Sequence, residues 1–110
     1  MVSKELLSEV LHVNIDTIIC NSEKILWYGK NTIKAEVLED FINIYELAHK
    51  CKEWAWNNHH ITIRSGYAEF GAWSNFAHNS ISFVSMDIPL TEPEAIFKAC
   101  QWILDNKDNQ

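Results

Sequence analysis

Apolar positions recur at helical spacing in three stretches of this chain. In residues 3–11, Leu6, Leu7, Val10 and Leu11 follow Ser3, whose hydroxyl suits an N-cap. In the stretch opening at Asn43, the residues Ile44, Leu47, Ala48, Cys51, Trp54 and Ala55 form one stripe. Asn43 with Glu46 three residues on has the form of a capping box, and Asn57 or Asn58 is placed to supply a left-handed stop. Trp56 lies about 200° round this helix from Trp54, at ~100° per residue, so the two indoles face different surroundings. Trp56 shares its side with Tyr45, His49 and Lys52, a face either open to solvent or covered by the N-terminal segment. The third stretch, residues 91–105, has Thr91 as N-cap, Pro93 in the first turn and Glu94 at the third helical position. Its polar residues Glu94, Lys98, Gln101 and Asp105 make one narrow stripe, and nearly everything else is apolar. Such a helix requires cover from more than one direction, which a second copy of the chain, as a homodimer, would also supply.

Between the helices the pattern is that of strands. Residues 15–20 and 24–28 are rich in β-formers and are separated by Asn21-Ser22-Glu23, which predicts a hairpin although the alternation is poor. Residues 32–41 fit a helix through Ile33, Val37, Leu38 and Phe41, and a strand through Thr32, Ile33 and Val37. Residues 60–64, 67–73 and 80–86 are predicted as an antiparallel meander. The second of these would put Ala68, Phe70 and Ala72 on one side and Tyr67, Glu69 and Trp73 on the other. The expected fold class is α+β, an antiparallel sheet of three to five strands with two main helices packed on it. The expected organisation is a single domain over residues 1–110: a variable N-terminal segment (1–42), a helix–strands–helix core (43–105) and a polar tail from 106 that frays. No internal repeat is apparent.

Charge narrows the range of partners. The net charge is −6, and no Lys or Arg occurs between Arg64 and Lys98, where Glu69, Asp87, Glu92 and Glu94 lie. A nucleic-acid surface needs clustered cations, so direct binding to DNA or RNA is not expected, and a protein with a basic surface is the better match. Three widely spaced cysteines, Cys20, Cys51 and Cys100, do not describe a disulfide framework. The N-terminus has no basic, apolar, then small-residue order, and no run approaches the ~18 apolar residues of a membrane span. The expected setting is the cytoplasm, with no membrane partner.

No arrangement of reactive residues is complete. The histidines, His12, His49, His59, His60 and His78, form no paired metal-binding motif, and a zinc site would have to gather scattered ligands such as Cys51, His60 and His78. A Cys–His nucleophile pair would need a thiol off the apolar faces on which the cysteines are predicted. Glu36, Glu39 and Asp40 form an acidic cluster that a solvated helix face explains. No cofactor, metal or catalytic residue is therefore assigned. Tyr67, Phe70, Trp73, Phe76 and Phe83 crowd a stretch without positive charge. Most read as core, while Tyr67 and Trp73, opposite Phe70, read as anchors of a binding face. The expected partner-binding residues are Tyr67, Glu69, Trp73, Trp56 and Asp87.

The segments Tyr45-Glu46-Leu47-Ala48, Cys51-Lys52-Glu53-Trp54-Ala55 and Glu92-Pro93-Glu94-Ala95-Ile96-Phe97-Lys98-Ala99-Cys100 carry a resemblance. Over residues 43–105 the chain resembles small phage and prophage proteins of the phage ABA sandwich type. The resemblance implies an origin in a mobile element and action inside a bacterial host cell; it carries no activity. The resulting expectation is a non-enzymatic protein that binds and occludes a host protein, for example as an anti-CRISPR or other anti-defence inhibitor. The alternatives are a self-associating structural or accessory domain and a Cys/His-dependent enzyme.

Overall fold

The computed structural model describes residues 2–21, 24–31, 34, 36–68, 71–78, 81–87 and 91–106. Helix α1 (Lys4–Leu11) leads into strands β1 (Asn14–Asn21), β2 (Ile25–Asn31) and β3 (Val37–Asn43), followed by helix α2 (Ile44–His59). Strands β4 (Arg64–Tyr67), β5 (Ala72–His78) and β6 (Ile81–Asp87) follow, and helix α3 (Glu92–Asp105) closes the chain. The fold is α+β. Its strands divide between two three-stranded antiparallel meanders, β1-β2-β3 and β4-β5-β6, where a single sheet was expected. The order of meander then helix occurs twice. Counted from the caps Asn43 and Thr91, both helices carry Glu, Lys and Trp at matching positions, as Glu46, Lys50 and Trp54 and as Glu94, Lys98 and Trp102.

The three predicted caps are in place. Ser3 Oγ accepts the Leu6 N–H, Asn43 Oδ1 accepts those of Tyr45 and Glu46 at 2.9 and 3.3 Å, and Thr91 Oγ1 accepts that of Glu94. The stop of α2 falls later than expected. The left-handed residue is His60 (φ 57°), not Asn57 or Asn58, and the N–H groups of His60 and Ile61 reach back to the carbonyls of Trp56 and Ala55. The stripe therefore continues to the helix end, where Trp54 and His59 meet edge to face at 5.0 Å.

Two predicted strands are shifted. Ile61 and Ile63 are buried and Thr62 is exposed, as alternation requires, but ladder pairing starts only at Arg64. Residues 67–73 are not one strand. They span the end of β4, a connection and the start of β5, with Tyr67 opposite Ala72 and Gly66 opposite Trp73. The ambiguous residues 32–41 include the first five residues of β3, so Glu39 and Asp40 lie on a strand and point to opposite faces.

One core joins the three helices and both sheets. α3 packs on the second sheet and along α2, and the buried Pro93, Ala95, Ile96, Phe97, Ala99, Cys100 and Ile103 meet the cover that its composition demands. Buried Ser74 on β5 donates to the Ala95 carbonyl at 2.6 Å, fixing helix to sheet. α1 buries Leu6, Leu7 and Val10 against the same core, and Ser3 Oγ contacts Gln101 Oε1 of α3 at 2.7 Å. The molecule measures 43 × 32 × 17 Å. Its short dimension accommodates two layers, because a helix or sheet stacks at ~10 Å from its neighbour, so a sheet covered by helices on one face has its other face open.

Candidate binding surface

The first sheet shows what that open face is made of. Its inner side chains, Ile15, Leu26, Tyr28 and Ile42, are buried. Burial raises the pKa of the Tyr28 phenol, with the negative charge of Asp40 adding to it. The outer positions are apolar too. Trp27 and Phe41 stand directly opposite each other on β2 and β3, with ring centroids 4.8 Å apart, and are 40% and 55% exposed. Ile19 and Val37 extend the patch, both about half exposed. Gly29 lies between them: a Cβ there would sit 3.0 Å from Val37 Cγ1 and 3.4 Å from Thr17 Cγ2, so its absence lets the neighbours close over the backbone. The result is an exposed apolar patch of Trp27, Phe41, Ile19 and Val37, of the kind that marks interaction sites when rimmed by polar groups.

The rim is acidic. Glu39 shares the outer face, opposite Gly29. On the inner side Asp40 is matched by Lys30 at 2.8 Å. The Lys30 hydrogen bond, with the Phe41 N–H second, holds the Asp40 carboxyl below the usual range, and Asp40 raises the Lys30 pKa in turn. The expected acidic cluster is thus divided: Asp40 is paired, Glu39 faces outward beside the aromatic rings, and Glu36 precedes β3.

The residues picked from the sequence do not form one face. Tyr67 and Trp73 occupy adjacent rungs of the β4–β5 ladder and so point to opposite sides of the second sheet, contrary to expectation. Tyr67 is 62% exposed; its pKa is raised, first by partial desolvation and then by the neighbouring Tyr45 phenol, which places it beside the start of α2. Trp73 is half-buried with its indole laid over Gly66, where a Cβ would meet Cζ2 at 3.0 Å. Trp56 is exposed on α2 and packs edge-on to His60 at 5.7 Å. It stands eleven residues, about 16 Å, along the helix from Tyr45. Glu69 and the side chain of Asp87 lie outside the described residues, as does that of Cys20. Sequence reading missed the Trp27–Phe41 face. Its signal was the poor alternation of residues 24–28 and 37–42, which marks strands apolar on both sides.

The thiols of Cys51 and Cys100 are buried where α2 meets α3, with Cys100 Sγ 3.4 Å from the Cys51 carbonyl. The hydrogen bond with Cys51, together with burial, pushes the Cys100 pKa well above its ordinary value, which suppresses the nucleophilic thiolate. Among the described residues no three His, Cys, Asp or Glu side chains gather as a metal site, and no helix is long and apolar enough to cross a membrane.

Fold and surface together define an α+β protein of two meanders under a helical layer, with an exposed aromatic pair on the outer face of its first sheet. No protein-family model matches the chain, and comparison with curated proteins and with solved structures gives no match.

Proposed function

We propose that this protein works by binding, docking the outer face of its first sheet on a partner protein and occluding a basic surface there. The observation that carries the reading is the Trp27–Phe41 pair, exposed with Ile19 and Val37 beside it and Glu39 within the same face. Aromatic anchors supply the binding energy of such a patch, while the net charge of −6 steers it toward cations. A basic channel that holds nucleic acid is one surface of that chemistry. Occlusion of a host-defence nuclease by a phage-type protein is the specific form we propose, with action inside the bacterial cell.

The test is capture from host lysate by the native chain and by the double variant Trp27→Ser with Phe41→Ser, each at low and high salt, followed by competition with nucleic acid. Loss of the aromatic pair is expected to weaken a captured partner by about 30-fold or more, the equivalent of ~2 kcal/mol. High salt should weaken it further, and nucleic acid should compete. A partner held equally by the double variant contradicts the reading, and so does no capture at all.

A further inference from the structure

A sheet edge offers a row of unpaired N–H and C=O groups, and proteins blunt such edges with bulges, charges or short strands. Among the described residues, three of the four sheet edges carry these devices. β1 has two register shifts, around Asp16 and Ile19. β3 carries Glu39 and Asp40. β4 has only four residues and begins with Arg64. β6 differs. It ends its sheet, pairs with β5 in unbroken register, and runs Ile81-Ser82-Phe83-Val84-Ser85-Met86 without charge, proline or bulge before Asp87. Its central residue, Val84, is 76% exposed, the highest value among the described large apolar side chains. On the other face the packing stops short: Phe83 and Trp102, 6.1 Å apart, are only half-buried at this margin.

We propose that β6 is an association edge, at which two copies of this chain pair their β6 strands antiparallel about a twofold axis through Val84, joining two three-stranded sheets into one of six.

A second copy is the occupant for three reasons. Val84 is the midpoint of the seven-residue strand, so an antiparallel self-pair centred there overlaps over the full length of β6. A twofold perpendicular to the sheet keeps outer positions opposite outer positions: Val84 meets Val84 of the second copy, and Ser82 meets Met86. Finally, in a chain of net charge −6 the strip from Ile81 to Met86 brings no like charges together. The same pairing covers Phe83 and Trp102. One strand pair buries less than the ~800 Å² per partner of a standard interface, so the dimer forms at micromolar concentrations and not below. The remaining negative charge opposes it, so salt strengthens it.

This inference uses residues remote from the first-sheet face, and its salt dependence has the opposite sign, so the two can fail separately. Sedimentation of the native chain across micromolar concentrations should show a monomer–dimer equilibrium that shifts to dimer as salt rises. Val84→Lys, which sets two ammonium groups face to face at the axis, should return the chain to monomer, with a thermal midpoint unchanged at submicromolar concentration, where the native chain is monomeric too; Val84→Thr should leave the dimer intact. Amides of β6 should exchange more slowly as concentration rises. If Val84→Lys lowers the thermal midpoint, Ser82→Lys, another exposed position, decides in its place. A monomer at all concentrations overturns the proposal. A dimer indifferent to the lysine, loosened by salt, or broken by Trp27→Ser with Phe41→Ser does so as well.

Discussion

At the scale of single residues, chemistry is set by burial more than by residue type. Cys51 and Cys100 were legible as core residues because they fall on the apolar stripes of two well-marked helices, and both are buried. Their contact across α2 and α3 was not legible, since nothing in the spacing of one helix gives the phase of another. In a Cys20→Ser background both thiols are expected to stay unreactive toward an aromatic disulfide reagent under native conditions, and to react at the rate of unfolding. Fast labelling of the folded chain would contradict the burial. The Lys30–Asp40 pair gives a second expectation. The Asp40 pKa is lowered on folding, so its contribution is present above the unfolded carboxylate range of about 4 and is lost as pH falls through the folded value. The Lys30 pKa is raised, so its contribution is present below about 10.4 and is lost as pH rises through the folded value. Both side chains are about one-third exposed, and the pair is therefore a modest contributor. Asp40→Asn should flatten the acid side of a plot of unfolding midpoint against pH without displacing the neutral plateau by much.

At the scale of elements, the helices were legible and the strand boundaries less so. Ser3, Asn43 and Thr91 each sit before a 3.6-residue apolar stripe, and a cap is a local event that sequence records directly. The end of α2 was misplaced by two or three residues because His60, an uncommon left-handed residue, takes the position usually given to Asn or Gly. In the second meander, the alternation of Ile61 and Ile63 reports burial beneath the helices, whereas ladder pairing depends on a partner strand further along the chain. Residues 67–73 alternate by composition alone, across a hairpin connection. What holds this meander to α3 is a polar contact within an apolar layer. Ser74→Ala removes the hydrogen bond to the Ala95 carbonyl, which keeps its helical neighbours, and should cost about 1 kcal/mol in chemical denaturation. Ser74→Val, which also adds bulk under Ala95, should cost more.

At the scale of the whole molecule, the α+β class was legible from the mixture of periods, but the division into two sheets was not. Whether β3 pairs with β2 alone or continues toward β4 depends on α2, which carries the chain from one meander to the next. The apolar circumference of α3 correctly demanded several partners, and the second sheet, α2 and α1 supply them within one chain. Apart from Trp102 at its margin, α3 therefore gives self-association no motive, and the unprotected edge of β6 provides a different one. The Trp27–Phe41 face was hidden for a related reason. Strands apolar on both sides have the same appearance whether one face is covered or two, and only the two-layer thickness leaves Trp27 and Phe41 in the open. The central claim is that this face receives the partner. Amide hydrogen exchange of the chain, alone and saturated with its captured partner, tests it most directly. The account predicts added protection concentrated in β1, β2 and β3, around Ile19, Trp27 and Phe41. Protection confined to α2 and β4, around Tyr45, Trp56 and Tyr67, with β1–β3 unchanged, would contradict it.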